Sequence, residues 1–152
     1  MKNIIKQSFI KIIVFLLLLL PFSLMAQDTE WTKYCEKEGV NVFYRLSDCN
    51  IPEEGIYRQY YMLKFENTNS YKVKVQWNIE LWYNNKCETC NDPENIEYKS
   101  QLDIPASSTI QGECSTKFKK ELKVFSKLLK FPGSKVLTRF ELNKISVLKA
   151  EL

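Results

Sequence analysis

Residues 71–83 read YKVKVQWNIELWY, and their alternation decides the fold class. Tyr71, Val73, Val75, Trp77, Ile79, Leu81 and Tyr83 are apolar at every odd position. The even positions carry Lys72, Lys74, Gln76, Asn78 and Glu80, and only then Trp82. Successive side chains of a strand point to opposite faces, so this period of two means one buried face and one wetted face. A helix would scatter the same apolar groups around its whole circumference. Trp77, at the centre, is expected deep in the core.

The flanking segments share the period. Tyr57, Tyr61, Leu63 and Phe65 alternate with Arg58, Tyr60, Met62, Lys64 and Glu66, and the turn Asn67-Thr68-Asn69-Ser70 leads into the long strand. Such turn side chains bond their own backbone. Val40, Val42 and Tyr44 alternate upstream, within residues 39–49. Ile96, Tyr98, Leu102 and Ile104 alternate downstream, and Pro105-Ala106-Ser107-Ser108 ends that strand before a shorter one at 109–115. In residues 136–148, Phe140 and Leu142 share one parity while Ile145 and Val147 share the other, which predicts a bulge near Asn143-Lys144.

Residues 117–131, KFKKELKVFSKLLKF, read two ways. Phe118, Leu122, Phe125 and Leu129 have helical spacing. Leu122, Val124 and Leu128 against Phe125, Leu129 and Phe131 make a strand buried on both faces. The strand is preferred, because it gives the final strand an antiparallel neighbour across the Pro132-Gly133-Ser134 turn. A basic helix would instead point to an anionic surface. The expected architecture is a seven-stranded antiparallel β-sandwich over residues 39–152, preceded by an extension at 27–38.

A long strand bearing Trp77, the N-T-N-S turn before it and the later I-P-A-S-S break resemble an immunoglobulin-like or fibronectin-III-like module over residues 39–148. Modules of this kind are frequent in small exported bacterial proteins. The resemblance implies a scaffold. The inter-sheet cysteine pair that flanks the tryptophan in antibody-type domains is missing, so no binding residues carry over.

Residues 1–26 read as a signal peptide. Lys2, Lys6 and Lys11 precede the apolar run 12–20, Pro21 breaks it, and Leu24-Met25-Ala26 offers a cleavage point before Gln27. The run falls short of the roughly 20 residues that span a bilayer. The mature chain is expected in the periplasm, at the cell surface or released, with no membrane span. Its charge is divided: residues 27–116 carry a net −6 and residues 117–152 a net +7. Opposed halves imply complementary surfaces within one fold, with a basic partner-binding face as the alternative. Neither half suggests nucleic acid.

All five cysteines, Cys35, Cys49, Cys87, Cys90 and Cys114, lie beyond residue 26. An exported chain favours disulfides with one thiol left over. In an immunoglobulin-like order the segments ending at Cys49 and Cys114 reach the same pole. The expected bridges are therefore Cys49–Cys114 and Cys87–Cys90, leaving Cys35 free. A four-cysteine zinc site and a redox-active Cys87-Glu88-Thr89-Cys90 remain alternatives. The chain contains no histidine, which removes triads that need an imidazole base. Asn91-Asp92-Pro93-Glu94 and Asp48 with Glu53-Glu54 lack the oxygen spacing of a calcium loop. Trp31, Tyr34, Tyr60 and Trp82 supply aromatic faces, but Tyr60 and Trp82 belong to strands of different sheets. No catalytic residue, metal ligand or cofactor site is assigned. The function expected is a non-catalytic binding or accessory module acting on an envelope protein or glycan. The alternatives are a thiol-disulfide redox protein and a structural subunit of an envelope assembly.

Overall fold

In the computed structural model the chain is described at residues 30–90, 96–115 and 119–150. The signal-like segment and the acidic stretch 91–94 lie outside the described residues. The alternating segment forms β4, Val73–Tyr83, the centre of a four-stranded antiparallel sheet. One long edge of β4 pairs with β9, Leu137–Lys149. The other pairs with β6, Lys99–Ile104, along residues 73–78, and with β5, Lys86–Cys87, at residues 82–83. Asn84 and Asn85, both with positive φ, make the two-residue turn between β4 and β5.

The facing sheet has five strands: β1, Thr32–Lys37; β2, Val40–Ile51; β3, Ile56–Asn67; β7, Thr109–Gln111; and β8, Lys123–Leu128. β7 and β8 lie end to end on the same edge of β3. Gln111 is opposite Lys64, the Gly112 amide donates to the Leu63 carbonyl at 2.8 Å, and Lys123 resumes the ladder opposite Met62. They are one edge strand interrupted by the excursion 113–122. The neck of that excursion is tight. A Cβ on Gly112 would fall 2.3 Å from the Leu122 carbonyl oxygen and 3.2 Å from the Met62 sulfur, so only glycine fits.

The core lies between the sheets and is built from the predicted faces. Val40 and Val42, Leu63 and Phe65, Val73, Val75 and Trp77, Leu102 and Ile104, and Leu142 and Val147 are all buried. Trp77 is 2% exposed and stacks on Phe65, with ring centroids 4.8 Å apart. The bulge in β9 falls where the parity of the sequence changes. The register with β4 shifts between Gln76–Ser146 and Asn78–Asn143, and Lys144 takes a φ of 52°. This lets both Leu142 and Val147 face inward.

Several expectations are corrected. There are nine strands among the described residues, where seven were expected in an immunoglobulin-like order. Thr32–Lys37, placed in an extension, is a strand paired with β2, so Cys35 sits inside a sheet. In the segment 117–131, residues 117 and 118 lie outside the described residues, and the rest contributes a 3-10 turn at Lys120–Leu122 and then β8. β8 does not pair with the final strand; it pairs with β3, and β9 pairs directly with β4. The connection at residues 129–136 is long enough to cross between sheets, and the β3 edge left open by the excursion receives β8. Met62, outward by parity, is only 1% exposed because the neck of the excursion covers it.

Where the β3–β4 turn crosses between sheets, the buried Asn67 ties them together. Its amide donates to the carbonyls of Tyr71 and Pro105, both at 2.9 Å, and its oxygen accepts from the Asn69 amide at 3.0 Å. Every buried apolar residue among the described ones lies between Val40 and Val147.

Candidate functional site

Four of the five cysteines are bonded in two pairs. Cys49 near the end of β2 and Cys114 on the excursion are bonded, with Cα atoms 5.3 Å apart. The bond ties the excursion to the outer face of the β2–β3 pair. Cys87 and Cys90 are bonded with Cα atoms 5.8 Å apart. Cys35 keeps a free thiol, and partial burial raises its pKa so that it stays protonated near neutrality. Four sulfurs in two bonds leave no four-cysteine metal set, and no group that could hold a metal occurs among the described residues.

The Cys87–Cys90 loop has a structural task that the sequence did not disclose. β5 and β6 leave residues 79–81 of β4 without a strand partner on that edge. Thr89, buried inside the loop, fills the gap. Its hydroxyl accepts from the Leu81 amide at 2.9 Å and donates to the Ile79 carbonyl at 3.4 Å, while the Glu88 amide donates to the Leu81 carbonyl. The disulfide therefore holds a side chain that stands in for a missing ladder residue. Cys87 follows β4 in a hairpin, not at the start of a helix, so no helix dipole acts on its sulfur.

The four aromatic candidates are dispersed. Trp31 lies on the outer face of the β1–β2–β3 sheet, beneath the Arg45 guanidinium at 4.6 Å and the Lys64 ammonium at 5.1 Å. Tyr34 turns inward, stacking on Phe140 and accepting a hydrogen bond from the Leu142 amide at 2.8 Å. Trp82 is covered by Arg139, 4.4 Å from the ring centroid. Tyr34 lines an open cleft of about 220 Å³ with Tyr44, Tyr61 and Phe140, and Tyr60 lines another.

That cleft holds about 440 Å³ and is lined by Arg58, Tyr60, Phe125, Leu128, Ser134 and Lys135. Arg58 and Tyr60 are two residues apart on β3 and share its outer face, and the Arg58 guanidinium donates to the Tyr60 hydroxyl at 3.4 Å. Phe125 comes from β8, opposite Tyr60, with the rings edge to face at 5.8 Å. Tyr83 anchors this wall to the other sheet: its hydroxyl donates to the Phe125 carbonyl at 2.8 Å. Burial, and then the negative Glu88, push the Tyr83 pKa up to about 12, so the hydroxyl stays a donor at neutral pH. Ser134 and Lys135 close the cleft from the β8–β9 connection.

The combination offers the Arg58 cation, the Lys135 ammonium already paired with Glu88, two aromatic faces, an aliphatic wall and a hydroxyl. It can recognise a ligand with an anionic group and an apolar body. The shared parity of Arg58 and Tyr60 was legible in the sequence. Phe125, Leu128, Ser134 and Lys135 were not, because their place depends on β8 joining β3. Comparison with family models, with curated proteins and with solved structures gives no match.

Proposed function

We propose that this chain is an exported, non-catalytic binding module of the cell envelope. Its nine strands would serve as an immunoglobulin-like scaffold, and the cleft at Arg58 and Tyr60 would be its recognition surface. The cleft carries the reading: it sets the Arg58 cation of β3 beside an apolar wall on paired strands, where a ligand is bound without reordering the sheet. The apolar run at 12–20 behind Lys2, Lys6 and Lys11 supports export, as do two bridges that persist in an oxidising compartment. The role of the Cys87–Cys90 loop in holding Thr89 favours this reading over thiol-disulfide chemistry, since opening the bond would release a ladder partner of β4.

The test is site-specific photo-crosslinking in the native envelope. A crosslinker at Tyr60 should give a discrete adduct that Arg58→Glu abolishes. The same group at Gln76, exposed on the opposite sheet, should give none. Equal labelling from both positions, or none from Tyr60, refutes the assignment of the cleft. Redox work would appear instead as a Cys87–Cys90 bond that mild reductant opens without denaturant.

A further inference from the structure

We propose that the tip formed by residues 127–136 docks on an anionic phospholipid surface, with Phe131 entering the headgroup layer. Phe131 is 62% exposed and Val136 39%, both on the connection between β8 and β9. A single exposed apolar residue is ordinary, but this one is presented by a rigid turn. The Ser134 amide donates to the Phe131 carbonyl at 3.2 Å, Pro132 fixes the next φ, and Gly133 has a φ of 85°, the arrangement of a type II turn. A Cβ on Gly133 would meet no atom within 4 Å, so this side of the turn is open. Such a tip enters an interface with little loss of backbone entropy.

The charge around the tip fits the same partner. Residues 127–136 contain Lys127, Lys130 and Lys135 and no acid. Lys130 rests over the Tyr57 ring, which holds its ammonium beside the turn. Lys135 is paired with Glu88. Glu53 and Glu54 stand on the neighbouring β2–β3 turn at this pole, so the membrane-facing part is the tip and not the whole pole. Apolar tip and basic flanks together match the two forces that hold a protein at an anionic interface. The tip shares Leu128, Ser134 and Lys135 with the cleft, but the proposal rests on Phe131, Lys127 and Lys130 and leaves Arg58 and Tyr60 unused.

The experiment is co-sedimentation of the chain from Gln27 onward with two kinds of vesicle, pure phosphatidylcholine and a mixture with phosphatidylglycerol. Binding is expected to the mixed vesicles only, and added salt should weaken it. Phe131→Ala should weaken it about tenfold through the lost apolar burial. Lys127→Gln and Lys130→Gln should each weaken it about fivefold. All three positions lie on the outer connection or its approach, and unchanged melting of each variant excludes misfolding as the cause. Arg58→Glu tests the cleft separately and is not expected to reproduce the loss caused by Phe131→Ala. Failure to bind mixed vesicles at low salt overturns the proposal, as does wild-type binding by Phe131→Ala. Equal binding to soluble polyglutamate, again indifferent to Phe131→Ala, would assign the tip to an acidic polymer and overturn it too.

Discussion

Replacing Cys49 and Cys114 by alanine should cost about 3–5 kcal/mol, nearly all of it through the unfolded chain. The bond joins residues 65 apart. For a loop of that length the chain-entropy relation gives roughly 14–15 cal/mol/K, or about 4 kcal/mol near room temperature. The lost sulfur packing adds to this, because Cys49 is 1% exposed, but the groups are small. The assay is urea unfolding of the parent and the double variant, after thiol counting has established that the parent has one free cysteine. With a urea slope of roughly 1.5 kcal/mol/M the midpoint should fall by about 2–3 M. The slope itself should rise, since an unbridged chain exposes more surface when unfolded. Far-ultraviolet circular dichroism should not change, because the ladders of β2 and β3 do not include the bond. Replacing Cys87 and Cys90 should cost much less, as the loop they close is short. A Cys49→Ala/Cys114→Ala loss below about 1 kcal/mol, with the bond demonstrably present in the parent, would refute the reasoning.

Two further outcomes follow from the core. Trp77→Ala removes the largest fully buried side chain and its stacking on Phe65, and should cost about 3–5 kcal/mol in the same unfolding assay. A melting point within a degree or two of the parent would remove β4 from the centre of the sandwich. The raised pKa of Tyr83 makes stability depend on alkaline pH. Its folded value of about 12 exceeds the ordinary value of 10.0, so the neutral form is favoured in the fold. That contribution is complete below the unfolded value and is lost as pH rises from 10.0 to about 12. Tyr83→Phe should flatten this part of the stability profile while costing about 1 kcal/mol at neutral pH through the missing bond to the Phe125 carbonyl. An unchanged alkaline slope in the variant would show that other groups cause it.

What the sequence determined by itself is local and periodic. The alternation in 71–83 is enough to make β4 and to aim Val73, Val75 and Trp77 inward, because the geometry of a strand fixes which side chains share a face. The change of parity between Leu142 and Val147 likewise announces the bulge at Lys144. The Cys49–Cys114 pairing was within reach of the sequence once the order of strands near that pole was inferred. Tertiary structure decided what depends on which edge a strand meets. β8 carries apolar residues at both parities, so its own pattern could not choose between β3 and β9; the β3 edge vacated by the excursion chose. The burial of Met62 follows from the same event, as does the cleft, since Phe125 and Leu128 reach Arg58 and Tyr60 only through that pairing. Thr89 is the clearest case. Nothing in Cys-Glu-Thr-Cys marks the threonine, and its task exists only because β5 and β6 leave three residues of β4 without a strand partner on their edge. A hydrogen-bonding deficit of this kind is a property of the assembled sheet, and no local stretch of sequence contains it.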